Sequence, residues 1–146
     1  FVTYDALSNQ TYDHIINFQN AQGQTANQQI FWDDGTNTFV LFDADGSQAY
    51  TQILNAQDSQ NRTLNQQVSW DDGTKTFVTF DYDNSQNYTQ ITNFVDTQGR
   101  LDNQLINYDD GSKTFIDYDE LNTQPWSQHI IEYATSGTTI MRDYLV

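Results

Sequence analysis

The residues that could do chemistry in this chain are aspartates and aromatics. Asp43-Ala44-Asp45-Gly46 has the carboxylate, carboxylate, glycine order of a calcium loop, and calcium takes about six to eight oxygen ligands. Asp81-Tyr82-Asp83-Asn84 keeps both carboxylates of that pattern. Asp43, Asp45, Asp81 and Asp83 are therefore the candidate metal ligands, with calcium as the candidate ion. No glutamate follows at the spacing that completes such a loop, and tight turns select Asp and Gly on backbone grounds alone. Turn chemistry is the stronger reading of these segments. The aromatics Trp32, Trp70, Tyr108 and Trp126 form a platform for sugar rings if they stand in an exposed row. More often such residues are cross-strand packing pairs, worth roughly 0.5–1.5 kcal/mol beyond area burial.

Nothing here assembles into a catalytic set. His14 and His129 are the only histidines, and Glu120 and Glu132 the only glutamates. A two-carboxylate hydrolase would have to be built from turn aspartates. No Ser or Cys stands near either histidine in a triad-like context, and cysteine is absent. The expectation is a protein that is not an enzyme and that holds no cofactor, calcium apart.

The elements that position these residues repeat. Trp32-Asp33-Asp34-Gly35-Thr36 returns as Trp70-Asp71-Asp72-Gly73-Thr74 and as Tyr108-Asp109-Asp110-Gly111-Ser112. The run from Phe1 to Asp5 matches Phe39 to Asp43, Phe77 to Asp81 and Phe115 to Asp119. Tyr50-Thr51-Gln52-Ile53 returns at Tyr88, with looser copies starting at Tyr12 and Trp126. The period is 38 residues without drift, which divides one β-repeat domain, 1–146, into repeats 1–38, 39–76, 77–114 and 115–146. A fixed period of this size means stacked supersecondary units. His14 and His129 fall one position apart in that frame, so they do not form a repeated site.

Each repeat reads as three short strands, exemplified by 77–80, 88–94 and 64–70. All are rich in β-branched and aromatic residues, and none has a helical apolar stripe. The Asp-Asp-Gly-Thr segments between aromatics predict hairpins. Gly23, Asn61, Gly99 and Gly137 share one repeat position. Gly46, Asn84 and Asn122 share another. Gly and Asn are the residues that accept positive φ at least cost, which predicts a left-handed turn at both. Alternation puts Val40 with Phe42, Val78 with Phe80, and Ile116 with Tyr118 on one face. Gln28 and Gln66 fall on the apolar side of their strands, where each amide needs a partner. Phe39, Phe77 and Phe115 point to the opposite face, so both faces carry apolar groups. The expected fold is all-β, about twelve short strands in an antiparallel meandering or spiralling sheet. A closed ring of small blades ranks second and a parallel β-solenoid third.

A formal charge of −15 argues against nucleic acid and anionic membrane as partners, since both need a basic surface. No apolar run approaches the length that spans a bilayer as a helix, so no membrane insertion is expected. Glutamine, asparagine and threonine number 18, 14 and 18, about a third of the chain, yet aromatic and β-branched residues are too plentiful for disorder. Lys75, Lys113, Arg62 and Arg100 sit beside the acidic turns and offset their carboxylates, each for a small surface contribution.

Asp96-Thr97-Gln98-Gly99-Arg100-Leu101, followed by Tyr108-Asp109-Asp110-Gly111 and Tyr118-Asp119, resembles the YD-repeat pattern of bacterial secreted proteins. The Asp-Asp-Gly-Thr segments and Gln124-Pro125-Trp126-Ser127 are similar to repeats of long bacterial extracellular proteins. The departures are Asn61-Arg62 and Gly137-Thr138 in place of Gly-Arg, and a repeat longer than the usual YD unit. The resemblance implies an extracellular or cell-surface β-repeat used as stalk, fibre or adhesin, with no catalytic residues to carry over. Self-association through sheet edges is the expected partner mode. A polysaccharide bound by the repeated aromatics is the rival.

Overall fold

A computed structural model describes residues 1–146. The chain is all-β, with twelve strands and no helix. It divides into two compact units, Phe1–Asp71 and Asp72–Val146. The first holds β1 Val2–Tyr4, β2 Tyr12–Gln19, β3 Thr25–Trp32, β4 Asn37–Phe42, β5 Tyr50–Gln57 and β6 Thr63–Trp70. The second holds β7 Lys75–Phe80, β8 Tyr88–Val95, β9 Leu101–Tyr108, β10 Lys113–Tyr118, β11 Gln128–Tyr133 and β12 Ile140–Leu145.

Within each unit every strand pairs antiparallel with the strand before and after it in the chain. Each unit is thus an open meander, and antiparallel pairing throughout excludes the parallel solenoid. The three expected strands per repeat are present. Those of the β4, β7, β10 type begin two residues earlier than their aromatic run suggests, because Asn37, Lys75 and Lys113 already pair with β5, β8 and β11.

The turns explain the sequence signature. Gly35 N–H donates to the Trp32 carbonyl at 3.0 Å and Trp32 N–H to that of Thr36 at 3.0 Å. The same pair of bonds closes Tyr108 to Ser112. This is a tight turn ending in a left-handed glycine, at φ +83° in both copies, a common hairpin solution. Asn61, Asn84 and Asn122 are left-handed at the predicted positions, and Ser8 joins them.

The copies also share a defect. The hairpins β2–β3, β5–β6 and β8–β9 each slip register at both ends, at Tyr12/His14 and Phe18/Gln19 and the equivalent sites. A bulge adds a residue to one strand and increases local twist, so the repeat resets its pairing in the same way each time.

Little of this is a hydrophobic core. Val40 and Val68 are the only apolar residues classed as buried, at 5% and 7% exposure. A layer of sheet without a second layer of its own half-buries both faces, and most strand side chains here are half-buried. Cross-strand side-chain pairs carry the stabilisation instead. Three of them form a repeated amide rung: Gln28 Nε2 donates to Asn17 Oδ1 at 2.8 Å, Gln66 to Asn55 at 2.8 Å, and Gln104 to Asn93 at 2.7 Å. These rungs satisfy the glutamines that alternation puts on the apolar side. In the last repeat Ile131 stands where the asparagine would be.

Candidate functional site

Aspartates do most of their work inside turns. Asp43 accepts from Ser47 N–H through Oδ1 at 3.1 Å and from Gln48 N–H through Oδ2 at 3.0 Å, bracing the β4–β5 loop. Asp81 does the same with Ser85 and Gln86 between β7 and β8. Asp119 does so with Thr123 and Gln124 between β10 and β11. The aspartate of the repeated aromatic-Asp motif is therefore a loop staple. Asp58 Oδ1 collects the N–H groups of Gln60 and Arg62, and Asp96 Oδ1 those of Gln98 and Arg100, across the β5–β6 and β8–β9 turns. Hydrogen bonds to the charged form favour it. The Arg100 N–H first, then its guanidinium, thereby hold Asp96 down to about 2.

The four candidate calcium ligands divide accordingly. Asp43 and Asp45 share one loop of the first unit, Asp81 and Asp83 one loop of the second. Asp45 and Asp83 each also accept from a serine N–H, at 3.2 Å. The Ser47 and Ser85 hydrogen bonds, followed by contact with Asp43 and Asp81, push both carboxylates below their ordinary range. Nowhere do three His, Asp or Glu side chains meet in a metal-sized cluster.

The aromatics stand as cross-strand partners, not as one row. Tyr12 faces Trp32, Tyr50 faces Trp70, and Tyr88 faces Tyr108. Trp126 occupies the repeat position of Tyr12, not of Trp32, and its ring lies 6.0 Å from that of His129. All four candidate aromatics are half-buried. Trp32 is anchored by its indole N–H, which donates to Thr38 Oγ1 at 2.9 Å. In the second unit Thr114 Oγ1 donates to the Tyr108 hydroxyl at 3.4 Å.

A groove opens beside each of these two aromatics. In the first unit it holds about 470 Å³ and is lined by Trp32, Asp33, Thr36, Asn37, Gln57 and Leu64, among others. In the second a groove of about 660 Å³ is lined by Tyr108, Ser112, Lys113 and Tyr133, two repeats on from Trp32, Thr36, Asn37 and Gln57, and by Glu132 and Met141 among others. An adjoining hollow of about 350 Å³ adds Asp109 to Tyr108. The two aspartates of each Asp-Asp-Gly turn have different fates. Asp34 Oδ1 takes the Thr36 N–H and hydroxyl at 2.9 and 2.6 Å, and Asp110 takes those of Ser112. These bonds, the hydroxyl's first, lower both carboxylates. Asp33 and Asp109 use only their backbone N–H, toward Thr11 and Asn87.

Two arrangements escape sequence reading. Asn37 sits at the repeat position of Lys75 and Lys113 and donates to Asn61 Oδ1 at 3.0 Å, leaving its own Oδ1 buried without a partner. Two repeats on, Lys113 lies instead across Gly137, with Cε 3.2 Å from where a Cβ would be. The other is an ionic cluster in which Arg100 bridges Asp96 and Glu120, its Nε 3.1 Å from Glu120. Desolvation first, then the Asp96 charge, raises the Glu120 carboxyl. The only signal for it was a glutamate where other repeats have alanine or tyrosine.

No protein-family model matches the chain, and no curated protein is similar to it.

Proposed function

We propose that the chain is a structural and interaction module of a secreted bacterial repeat protein, which builds a stalk, fibre or adhesin by continuing its sheet from one copy to the next. The observation that carries this reading is the repeated pairing: β2–β3, β5–β6 and β8–β9 share one register and slip at equivalent positions. β12 is exposed along its whole length and presents Ile140, Met141, Tyr144 and Leu145 at 40% exposure or more. β1 is exposed throughout and presents Val2 and Tyr4. Within residues 1–146 β1 pairs with β2 and β12 with β11, and in this reading a further copy of the repeat takes the other side of each. Such edges are templates for another strand unless blocked. Copies that repeat one register suit the same role, because such a register can be extended without a new design at each step. The resemblance to YD repeats supports the extracellular, cell-surface setting.

Light scattering and electron microscopy of concentrated protein test the reading. Filaments or extended oligomers are expected, and Leu145→Pro, which removes a donor that β12 turns away from β11, is expected to leave monomers. A monodisperse monomer with featureless micrographs at the highest soluble concentration would overturn it.

A further inference from the structure

We infer that the groove beside the third-strand aromatic is a binding site for a neutral polysaccharide, one groove in each unit, with Trp32 and Tyr108 as ring platforms and Asp33 and Asp109 as hydroxyl acceptors.

The argument starts from what the fold leaves unused. A turn of the type seen at 32–36 needs one carboxylate, and Asp34 supplies it by taking both donors of Thr36. Asp110 does the same for Ser112. Asp33 and Asp109 precede them in identical positions, yet their side chains serve no turn, no ion pair and no strand. Each instead lines a hollow beside an aromatic ring. A free carboxylate next to a half-buried ring is a pairing that suits a pyranose. The C–H face of the sugar packs on the ring, while its equatorial hydroxyls donate to the carboxylate and are read by small polar groups around it. Thr36 and Gln57 in the first unit, and Ser112 and Asn87 in the second, are such groups. Trp32 is held for this purpose by Thr38, which fixes the plane of the indole.

Charge selects among polymers. A net charge of −15 repels uronate-rich or sulfated chains; the charged lining of the first groove is acidic only, whereas Lys113 offsets the carboxylates of the second. A cationic polymer would be drawn to any acidic surface, groove or not, and that attraction is screened by salt. Neutral hydroxyl-rich chains are the class for which the ring and the carboxylate act together. An aromatic ring, a free carboxylate and a hydroxyl side chain recur together in both units, which suits a ligand that is itself repetitive.

Calorimetric titrations with soluble probes test this: mixed-linkage β-glucan, galactomannan, dextran and xyloglucan as neutral chains, hyaluronate as the anionic one, chitosan as the cationic one. Soluble ligands keep the result independent of filament formation. A saturable change with at least one neutral chain, persisting at high salt, is expected. The double variant Asp33→Asn, Asp109→Asn keeps side-chain shape and touches no turn bond. It should retain the native circular dichroism and melting temperature while weakening binding about tenfold or more, the scale of a lost hydrogen bond to a charged acceptor. Three results would each overturn the assignment: no saturable change with any neutral chain, undiminished binding by the double variant, or binding confined to chitosan or hyaluronate and lost in salt.

Discussion

Three glycines at one repeat position provide an internal ruler for the turn geometry. Gly35, Gly73 and Gly111 have φ of +83°, +87° and +83°, so alanine meets the same backbone penalty at each. That penalty is about 1–2 kcal/mol, reduced by about 0.4–1 kcal/mol because alanine also has less freedom in the unfolded chain. What differs is the neighbour. A Cβ at position 35 would lie 3.8 Å from the Ser59 side chain, an ordinary contact. At 73 it meets the Thr97 methyl at 3.4 Å, which a small rotation relieves. At 111 it meets the backbone oxygen of Thr135 at 3.0 Å, and the turn after β11 must move. Forcing backbone apart in this way costs about 1–3 kcal/mol further. Gly35→Ala is therefore expected to cost about 1 kcal/mol, Gly73→Ala slightly more, and Gly111→Ala about 2–4 kcal/mol. Urea denaturation at unchanged m-value measures each cost as a shift in midpoint. Gly73 and Gly111 belong to one unit, so their comparison holds even if the two units unfold separately. Equal costs at 73 and 111 would refute the reasoning, since only the Thr135 contact separates them.

Other expectations follow from the same contacts. Hydrogen bonds from Arg100, its N–H first, hold the Asp96 carboxyl down to about 2, below its ordinary value, so its contribution is full above the ordinary carboxylate range and fades as pH falls toward 2. Asp96→Asn should flatten acid stability in that window, and an unchanged acid midpoint would count against the depressed carboxyl. Gln104→Leu leaves Asn93 Oδ1 without its donor and should cost about 1 kcal/mol, whereas adding Asn93→Val should recover most of the loss; a double-mutant cycle in denaturant reads the coupling. Val40→Ala removes two methyl groups from the most buried apolar side chain and should cost about 1.6 kcal/mol at about 0.8 per group. Asp43 and Asp81 already accept two backbone N–H groups each. Calcium is accordingly expected to leave the melting temperature unchanged, and a rise reversed by chelator would show that the ion displaces those donors.

The strands and turns were legible because their causes are local. A glycine or asparagine every 38 residues marks a left-handed residue wherever it stands, and aromatic and β-branched runs between such marks have no better conformation than extended. The glutamines on the apolar side announced a need for partners, but not that Asn17, Asn55 and Asn93 would meet it, because register across a bulged hairpin decides which residue lies opposite. The candidate site shows the same division. Asp43 and Asp81 were visible as loop carboxylates, but the structure was needed to show their oxygens taken by Ser47, Gln48, Ser85 and Gln86. The equivalence of Trp32, Trp70 and Tyr108 was plain, whereas Trp126 belongs to another strand type and pairs differently.

By itself, then, the sequence determined the strand alphabet, the handedness of each turn and the period at which both recur, since backbone sterics act within a few residues. Tertiary structure alone decided which carboxylates brace a loop and which stand free beside a ring. That choice depends on hydrogen-bond donors brought together by cross-strand pairing, whose positions no local preference specifies.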